Sequence, residues 1–392
     1  MKQGWEYKKL GEVCTIERGG SPRPITDYIT DSEDGINWIK IGDAQEGSKY
    51  ITSTKEKIRP EGIKKSRFVH KGDFILSNSM SFGRPYILKV DGCIHDGWLV
   101  IHDDNEVFIK DYLYYILSSS IMYAKFSQLA VGGVVNNLNS SLVRKVAIPI
   151  PPKSTQLSIV SELDKINELI RLKKDQLKDY DNLAQSIFYE MFGDPVENEK
   201  GWEVTSLENV CSSIVRGPFG SALKKEFFVL PDDTNYKVYE QKHAIQKDAN
   251  IGNYYVTVDK FKELSRFEVK AGDIIMSCSG TIGELFVIPS NAEKGLMNQA
   301  LLKFTLNDYI CKDYFLFLME SVKKNFTIRG TGLQNIGSVK IIKVMKFGLP
   351  PLPLQHLFAQ RIEQIEHQKS EVTKVITDLK TLLASRMQHW FE

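Results

Sequence analysis

Cysteine is scarce in this 392-residue chain, and its five copies (Cys14, Cys93, Cys211, Cys278 and Cys311) are scattered with no C-x-x-C pair. An odd, dispersed set excludes a disulfide framework and a zinc ribbon, and reads as reduced thiols. Long apolar runs are missing too. None approaches the ~18–20 residues of a membrane span, and the opening Met1-Lys2-Gln3-Gly4-Trp5-Glu6 has no signal-type apolar stretch. The expectation is a cytoplasmic protein that does not meet a membrane. Net charge is nearly absent, with 51 basic against 49 acidic residues, or +2. Nucleic-acid binding would therefore have to rest on local patches. Catalytic signatures are lacking as well: there is no G-x-x-x-x-G-K-[ST] for nucleotide phosphates and no H-E-x-x-H for zinc. An amino-methyltransferase needs Asn/Asp-Pro-Pro-Tyr/Phe, but Pro151-Pro152 stands between Ile150 and Lys153 and reads as a helix stop. The seven histidines show no metal spacing. No catalytic residue, no bound metal and no cofactor is expected of this chain.

What is present is an ordinary globular balance, 42% hydrophobic and 26% charged, in a chain long enough for two or more domains. It is also written twice. Gly4-Trp5-Glu6 with Leu10, Val13 and Cys14 returns as Gly201-Trp202-Glu203 with Leu207, Val210 and Cys211. Gly72-Asp73 returns as Gly272-Asp273, Gly83 as Gly283, Asp111-Tyr112-Leu113 as Asp313-Tyr314-Phe315, and Pro151-Pro152 as Pro350-Pro351. Self-similarity of this length marks an internal duplication.

Each copy has two parts. The first, at 1–152 and 201–352, mixes short apolar runs such as Phe74-Ile75-Leu76 and Trp98-Leu99-Val100-Ile101 with Gly, Ser, Asn and Pro punctuation, and reads as short strands with a few helices. The second follows a proline stop. Over 153–192 the positions Ile159, Leu163, Ile166, Ile170, Lys173, Leu177, Tyr180, Ala184, Ile187 and Met191 alternate spacings of four and three. Over 353–392 the same stripe recurs without an insertion as Phe358, Ile362, Ile365, Lys369, Val372, Ile376, Leu379, Leu383, Arg386 and Trp390. At a rise of ~1.5 Å per residue such helices reach ~50 Å, more than the diameter of a 150-residue domain. Each therefore needs a partner helix. With a short linker at 193–200, the expected fold is α+β: two similar domains separated by two long helices that form an antiparallel coiled coil, pseudo-two-fold symmetric.

Two related readers at a fixed spacing suit duplex DNA, whose half-sites one turn apart lie ~34–36 Å from centre to centre. The expected target is bipartite with an unread spacer. Four loops recur in both copies and carry donors and acceptors for phosphates and base edges. They are Ser21 and Arg23 opposite Ser221, Lys224 and Lys225; Lys64, Lys65 and Arg67 opposite Arg266; Ser79, Ser81 and Arg84 opposite Ser279 and Thr281; and Asn136 and Asn137 opposite Arg329, Thr331, Gln334 and Asn335. Any one of these residues is equally well explained as a plain turn. As a set recurring at matched places they point to DNA. The fourth loop exchanges Val134-Val135-Asn136 for Gly332-Leu333-Gln334, so the two half-sites should differ.

The order of these features resembles the specificity subunit of type I restriction-modification systems. The resemblance covers the whole chain and rests on Gly4-Trp5 with Leu10-Gly11-Glu12-Val13, Gly72-Asp73-Phe74-Ile75-Leu76, Pro151-Pro152 with Gln156, Met191-Phe192-Gly193-Asp194-Pro195, and Asn198-Glu199-Lys200-Gly201-Trp202. The stretch Lys237 to Ile245 is similar to one common in that family's target-recognition domains. Leu354-Gln355-His356 departs from the family's usual acidic residue before the Gln. The resemblance implies a non-catalytic subunit. Two modification subunits, S-adenosylmethionine-dependent adenine methyltransferases, and ATP-driven, Mg-requiring restriction subunits would be its protein partners.

Two other readings stand beside this one. One is a scaffold that binds only proteins through its helices. The other is a Mg²⁺ nuclease, because Pro231-Asp232 followed by Glu240-Gln241-Lys242 has the form Pro-Asp…Glu-x-Lys. That pattern is short and has no counterpart in the first copy, so Lys242 and His243 are taken as DNA or packing contacts.

Overall fold

The computed structural model describes residues 2–45, 47–78, 83–130, 138–323, 326, 328–329, 335–336 and 338–392, without the side chains of 130, 220, 221, 328, 329 and 335. The chain divides into two compact units, Met1–Asp175 with Thr373–Glu392, and Gln176–Val372. Each unit holds one sequence copy's domain and one half of each long helix, Lys153–Phe192 and Leu352–Phe391.

In the first unit, Glu6–Lys9 pairs antiparallel with Ala147–Ile150 and brings the start of the domain to its end. A five-stranded sheet runs in the order Thr15–Arg18, Trp98–His102, Phe74–Ser77, Pro85–Leu88, Tyr50–Ile51. A second runs Ile29–Thr30, Glu56–Ile58, Ile36–Ile39, Gly92–Ile94, Arg67–Val69, with Cys93 in parallel register with Trp38. The apolar runs of the sequence are unbroken because the first sheet is covered on both faces. Successive side chains point to opposite faces. Leu76, Leu99 and Ile101 join a core with Tyr112, Ile116, Ile159 and Leu163, while Ile75, Trp98 and Val100 join another with Ile39, Val69 and Ile94.

The second unit repeats this plan. Glu203–Ser206 pairs with Lys346–Leu349, and the two sheets run Cys211–Arg216, Leu301–Leu306, Ile274–Ser277, Leu285–Val287 and Tyr255–Val256, Tyr236–Tyr239, Gly295–Met297, Glu268–Val269. The parallel pair recurs with Val238 opposite Leu296. Where the first unit has the strand Ile29–Thr30, Val229 makes a single bridge to Tyr255. The chain is thus α+β and duplicated in three dimensions as in sequence.

The root of each long helix is fixed the same way in both units. Gln156 is buried; its Oε1 accepts the N–H of Ile109, and its Nε2 donates to the carbonyls of Val107 and Pro151. Gln355, also buried, accepts from Cys311 N at 2.8 Å and donates to Tyr309 O and Pro350 O. Family-like Gln residues after the proline stop are therefore anchors that satisfy three main-chain groups. Gln355→Leu keeps the volume but strands those groups, at about 1–3 kcal/mol for a buried unsatisfied group. Its midpoint in chemical denaturation should fall while Gln360→Leu, on the exposed face, stays near wild type.

The helices pack against each other within each unit. In the first, Ile159 and Leu163 share a core with Leu383, Met387, Trp390 and Phe391, and Glu162 receives the Arg386 guanidinium and the Trp390 indole N–H. In the second, Phe188 and Phe192 lie on Phe358, whereas Asp181, earlier in its helix, meets Lys369, later in the other, at 2.8 Å. The helices run antiparallel. Ile159, Leu163, Ile166, Ile170, Phe358, Ile362, Ile365, Val372 and Ile376 are buried, and Leu177, Tyr180, Ile187, Leu379 and Leu383 are half-buried. At the end of the first helix the fully buried positions are Phe188 and Phe192, one place beyond the Ile187 and Met191 of the periodic stripe. A 3.6-residue helix drifts against a 3.5-residue repeat, and there the helix packs on its domain as well as on its partner. No helix among the described residues is long and apolar enough to cross a membrane.

Candidate nucleic-acid interface

The first recurrent loop leaves the strands Thr15–Arg18 and Cys211–Arg216. Its opening glycine is required by contact: a Cβ on Gly19 would lie 2.3 Å from the His95 carbonyl oxygen, and one on Gly217 would lie 1.9 Å from that of Asn298. The Gly19 N–H donates to Trp98 O and the Gly217 N–H to Leu301 O. Beyond Gly19, the Ser21 hydroxyl donates to Asp96 at 2.7 Å, and the exposed Arg23 reaches the same carboxylate at 3.4 Å. Burial would raise the Asp96 carboxyl, but the Ser21 hydroxyl, His95 and Arg18 outweigh it and hold the group below its usual range. Asp96 thus remains an anion that pairs with the exposed Arg23. Lys224 and Lys225 of the second unit are exposed.

In the second loop Lys64 and Lys65 are exposed at the end of the turn Pro60–Lys65, and Lys65 bonds the Tyr28 hydroxyl at 2.6 Å. Arg67 is committed inward, to Glu17 at 2.8 Å and to the Arg18 carbonyl. Arg266 is exposed.

A buried serine that the sequence did not single out shapes the third loop. The Ser77 Oγ accepts the N–H of Arg84 and its carbonyl accepts that of Gly83; Ser277 does the same for Glu284 and Gly283. Gly83 and Gly283 have φ of +77° and +88°, the left-handed region that glycine supplies without strain. Arg84 and Thr281 are exposed and Ser279 half-buried. Ser79, Ser81, Asn136, Asn137, Thr331 and Gln334 lie outside the described residues, as do the side chains of Ser221, Arg329 and Asn335.

The roots of these loops meet at one turn in each unit. In the first, Asn78 N donates to Gly97 O and Asn78 O accepts from Leu138 N, where the fourth loop returns. In the second, Cys278 N donates to Ala300 O and Cys278 O accepts from Ile336 N. His95-Asp96-Gly97 and Asn298-Gln299-Ala300 are thus matching hubs. In sequence the aligned pairs His95-Asp96 and Asn298-Gln299 read only as a surface or loop polar pair.

For His243, read as a DNA or packing contact, the structure selects packing. It is fully buried; its Nδ1 accepts the Glu240 N–H at 2.9 Å and its Nε2 donates to Ile251 O at 2.7 Å, which a neutral ring protonated on Nε2 satisfies. Burial lowers its pKa accordingly. His243 caps the helix Gln241–Gln246, as Asp43 does for Lys40 N in the first unit. It is a packing residue, with no donor left for DNA. Lys242 is half-exposed and paired with Glu240 at 2.6 Å. The nuclease-like carboxylates are occupied locally, since Asp232 accepts from the Thr234 N–H and hydroxyl. Among the described residues no group of three or more His, Cys, Asp or Glu could hold a metal ion.

A model of the type I restriction modification DNA specificity domain matches residues 2–179 and again 199–380. The chain belongs to that family. DNA sequence specificity is what the family contributes to its restriction-modification complexes. This specificity-family chain is 22% identical to the type I restriction enzyme MjaIX specificity subunit of Methanocaldococcus jannaschii, over 97% of the chain and 91% of the relative. It is 22% identical to a putative type I specificity subunit of Haemophilus influenzae, over 78% of each. Its fold matches a chain solved in a study of assembly and conformational transition of a type I restriction-modification system, with a TM-score of 0.66, 17% identity and coverage of 99% and 97%.

Proposed function

We propose that each unit of this chain reads one half of a bipartite DNA target, that the helix pair sets the unread spacer, and that chemistry is left to partner subunits. The observation that carries this reading is the repeated hub. The two units hold three polar loop roots in the same hydrogen-bond pattern, yet present different side chains on them, Arg84 against Glu284 and Asp96 against Gln299. A shared frame with divergent tips is what two readers of different half-sites require. The partners on this reading are two adenine methyltransferase subunits, which bring S-adenosylmethionine, and restriction subunits, which bring ATP and Mg²⁺. The methyltransferases dock on the outward helix faces, where Leu169, Leu172, Leu183, Leu357, Val375 and Leu382 stay exposed. Modified-base sequencing of a host that carries the chain with its methyltransferase subunits should return one target made of two different short halves around an unspecified spacer. A contiguous target, or none, would overturn the proposal.

A further inference from the structure

We propose that Arg216 is a positioning residue for DNA recognition by the second unit, and that Arg18 and Asn78 divide the same role in the first. The inference rests on the bipartite reading above and adds to it the residues that hold the reading loops in place.

Arg216 ends the strand Cys211–Arg216. Its Nε donates to the Gln299 carbonyl at 3.0 Å, and its Nη1 donates to the Ile336 carbonyl at 3.0 Å. Ile336 N in turn reaches Cys278 O at 3.0 Å, and Cys278 N reaches Ala300 O at 2.8 Å. One guanidinium therefore ties the first loop to the hub and to the segment where the fourth loop returns, with the third loop bonded to both. A planar fork with fixed donors spans two carbonyls; an ammonium is a point donor on a flexible stem.

The first unit solves the same problem with two side chains. Arg18 Nε donates to the Asp96 carbonyl at 2.9 Å, and Asn78 Nδ2 donates to that carbonyl at 3.0 Å. Asn78 also carries the main-chain bonds to Gly97 and Leu138. Cys278 occupies the corresponding place in the second unit and has no amide to offer, and there the Arg216 guanidinium reaches both the hub and the segment where the fourth loop returns. The hub carbonyl thus receives two side-chain donors in the first unit, from Arg18 and Asn78, and one in the second, from Arg216, whose other donor goes to Ile336.

The test uses the full chain expressed with the methyltransferase subunits of its system and scores base preference in each half-site separately by modified-base sequencing. Arg216→Lys should relax at least one position of the second unit's half-site about tenfold, the scale of one lost recognition contact, and leave the other half-site and the spacer unchanged. Arg18→Lys should relax the first unit's half-site by clearly less, and Arg18→Lys with Asn78→Ala by as much as Arg216→Lys does in its own. Cys278→Asn added to Arg216→Lys supplies the missing amide and should restore part of the lost stringency. A lower level of modification with unchanged base preferences in both half-sites would mark a merely structural arginine and overturn the inference. So would wild-type stringency in Arg216→Lys. If the wild-type chain directs no bipartite modification, the bipartite reading fails first; if it does and Arg216→Lys is equally stringent, only the present inference fails.

Discussion

Phe188→Ala lowers the stability of the second unit by about 3–5 kcal/mol, the range for truncating a buried aromatic, and is the most damaging single truncation expected in the helix pair. Phe188 is fully buried among five rings: Phe192 at 5.3 Å, Tyr189, Tyr314 and Phe358 at 5.6 Å, and Phe317 at 5.8 Å. Two of these belong to the recognition domain and one to the opposite helix. The cavity left behind would open between elements that cannot all move inward together, so relaxation recovers little of the loss. Ile187→Ala, one residue earlier and half-buried, should cost markedly less. Denaturant unfolding of both variants measures the contrast, and equal losses would mean that the periodic stripe, rather than the aromatic knot, carries the packing.

Gly217→Ala should disable the second half-site while sparing the first. The added methyl would sit 1.9 Å from the Asn298 carbonyl oxygen and 2.4 Å from its carbon. Both are main-chain atoms of the hub, so no side chain can swing away to make room. Overpacking costs about 1–3 kcal/mol where neighbours can adjust, and a clash with backbone belongs at the upper end. The strand end must lift from the hub and carry Arg216 with it. Modified-base sequencing should show the second half-site lost or degraded and the first half-site's preferences intact. Gly42→Ala, where an added methyl meets nothing within 4 Å, serves as the control; a Gly217→Ala chain that reads both halves as wild type would refute the hub as the element that places the loops.

Much of this architecture is legible in the sequence because hydrophobic periodicity and duplication are long-range, redundant signals. Phe74-Ile75-Leu76 and Trp98-Leu99-Val100-Ile101 announce strands covered on both faces, and the stripe from Ile159 announces a helix that needs a partner. The shift to Phe188 and Phe192 was hidden, because a stripe counted at seven-residue intervals cannot show where a helix leaves its partner for its own domain. His243 stayed open between DNA and packing for a different reason: a histidine next to a lysine suits either, and only the fold shows that its two nitrogens are consumed by Glu240 and Ile251. The positioning role of Arg18, Arg216 and Asn78 is not legible in the sequence, although Arg216 and Asn78 lie in the recurrent loops, because they act on main-chain carbonyls of segments far away in sequence. The matched positions of Asp96 and Gln299 were the available clue: a place that keeps its backbone role while exchanging its side chain looks unimportant when only side chains are compared.

Exchange of one copy for the other tests directly whether the two domains are interchangeable readers. The direct measurement replaces residues 201–351 with a second copy of residues 4–152, leaves both long helices intact, and sequences the modified bases directed by this chain with its methyltransferase subunits. Two copies of one reader should yield a target whose two halves are the same short sequence, with the spacer length of the parent. A target that still carries the parent's second half, or one in which the halves merge into a single contiguous word, would contradict it.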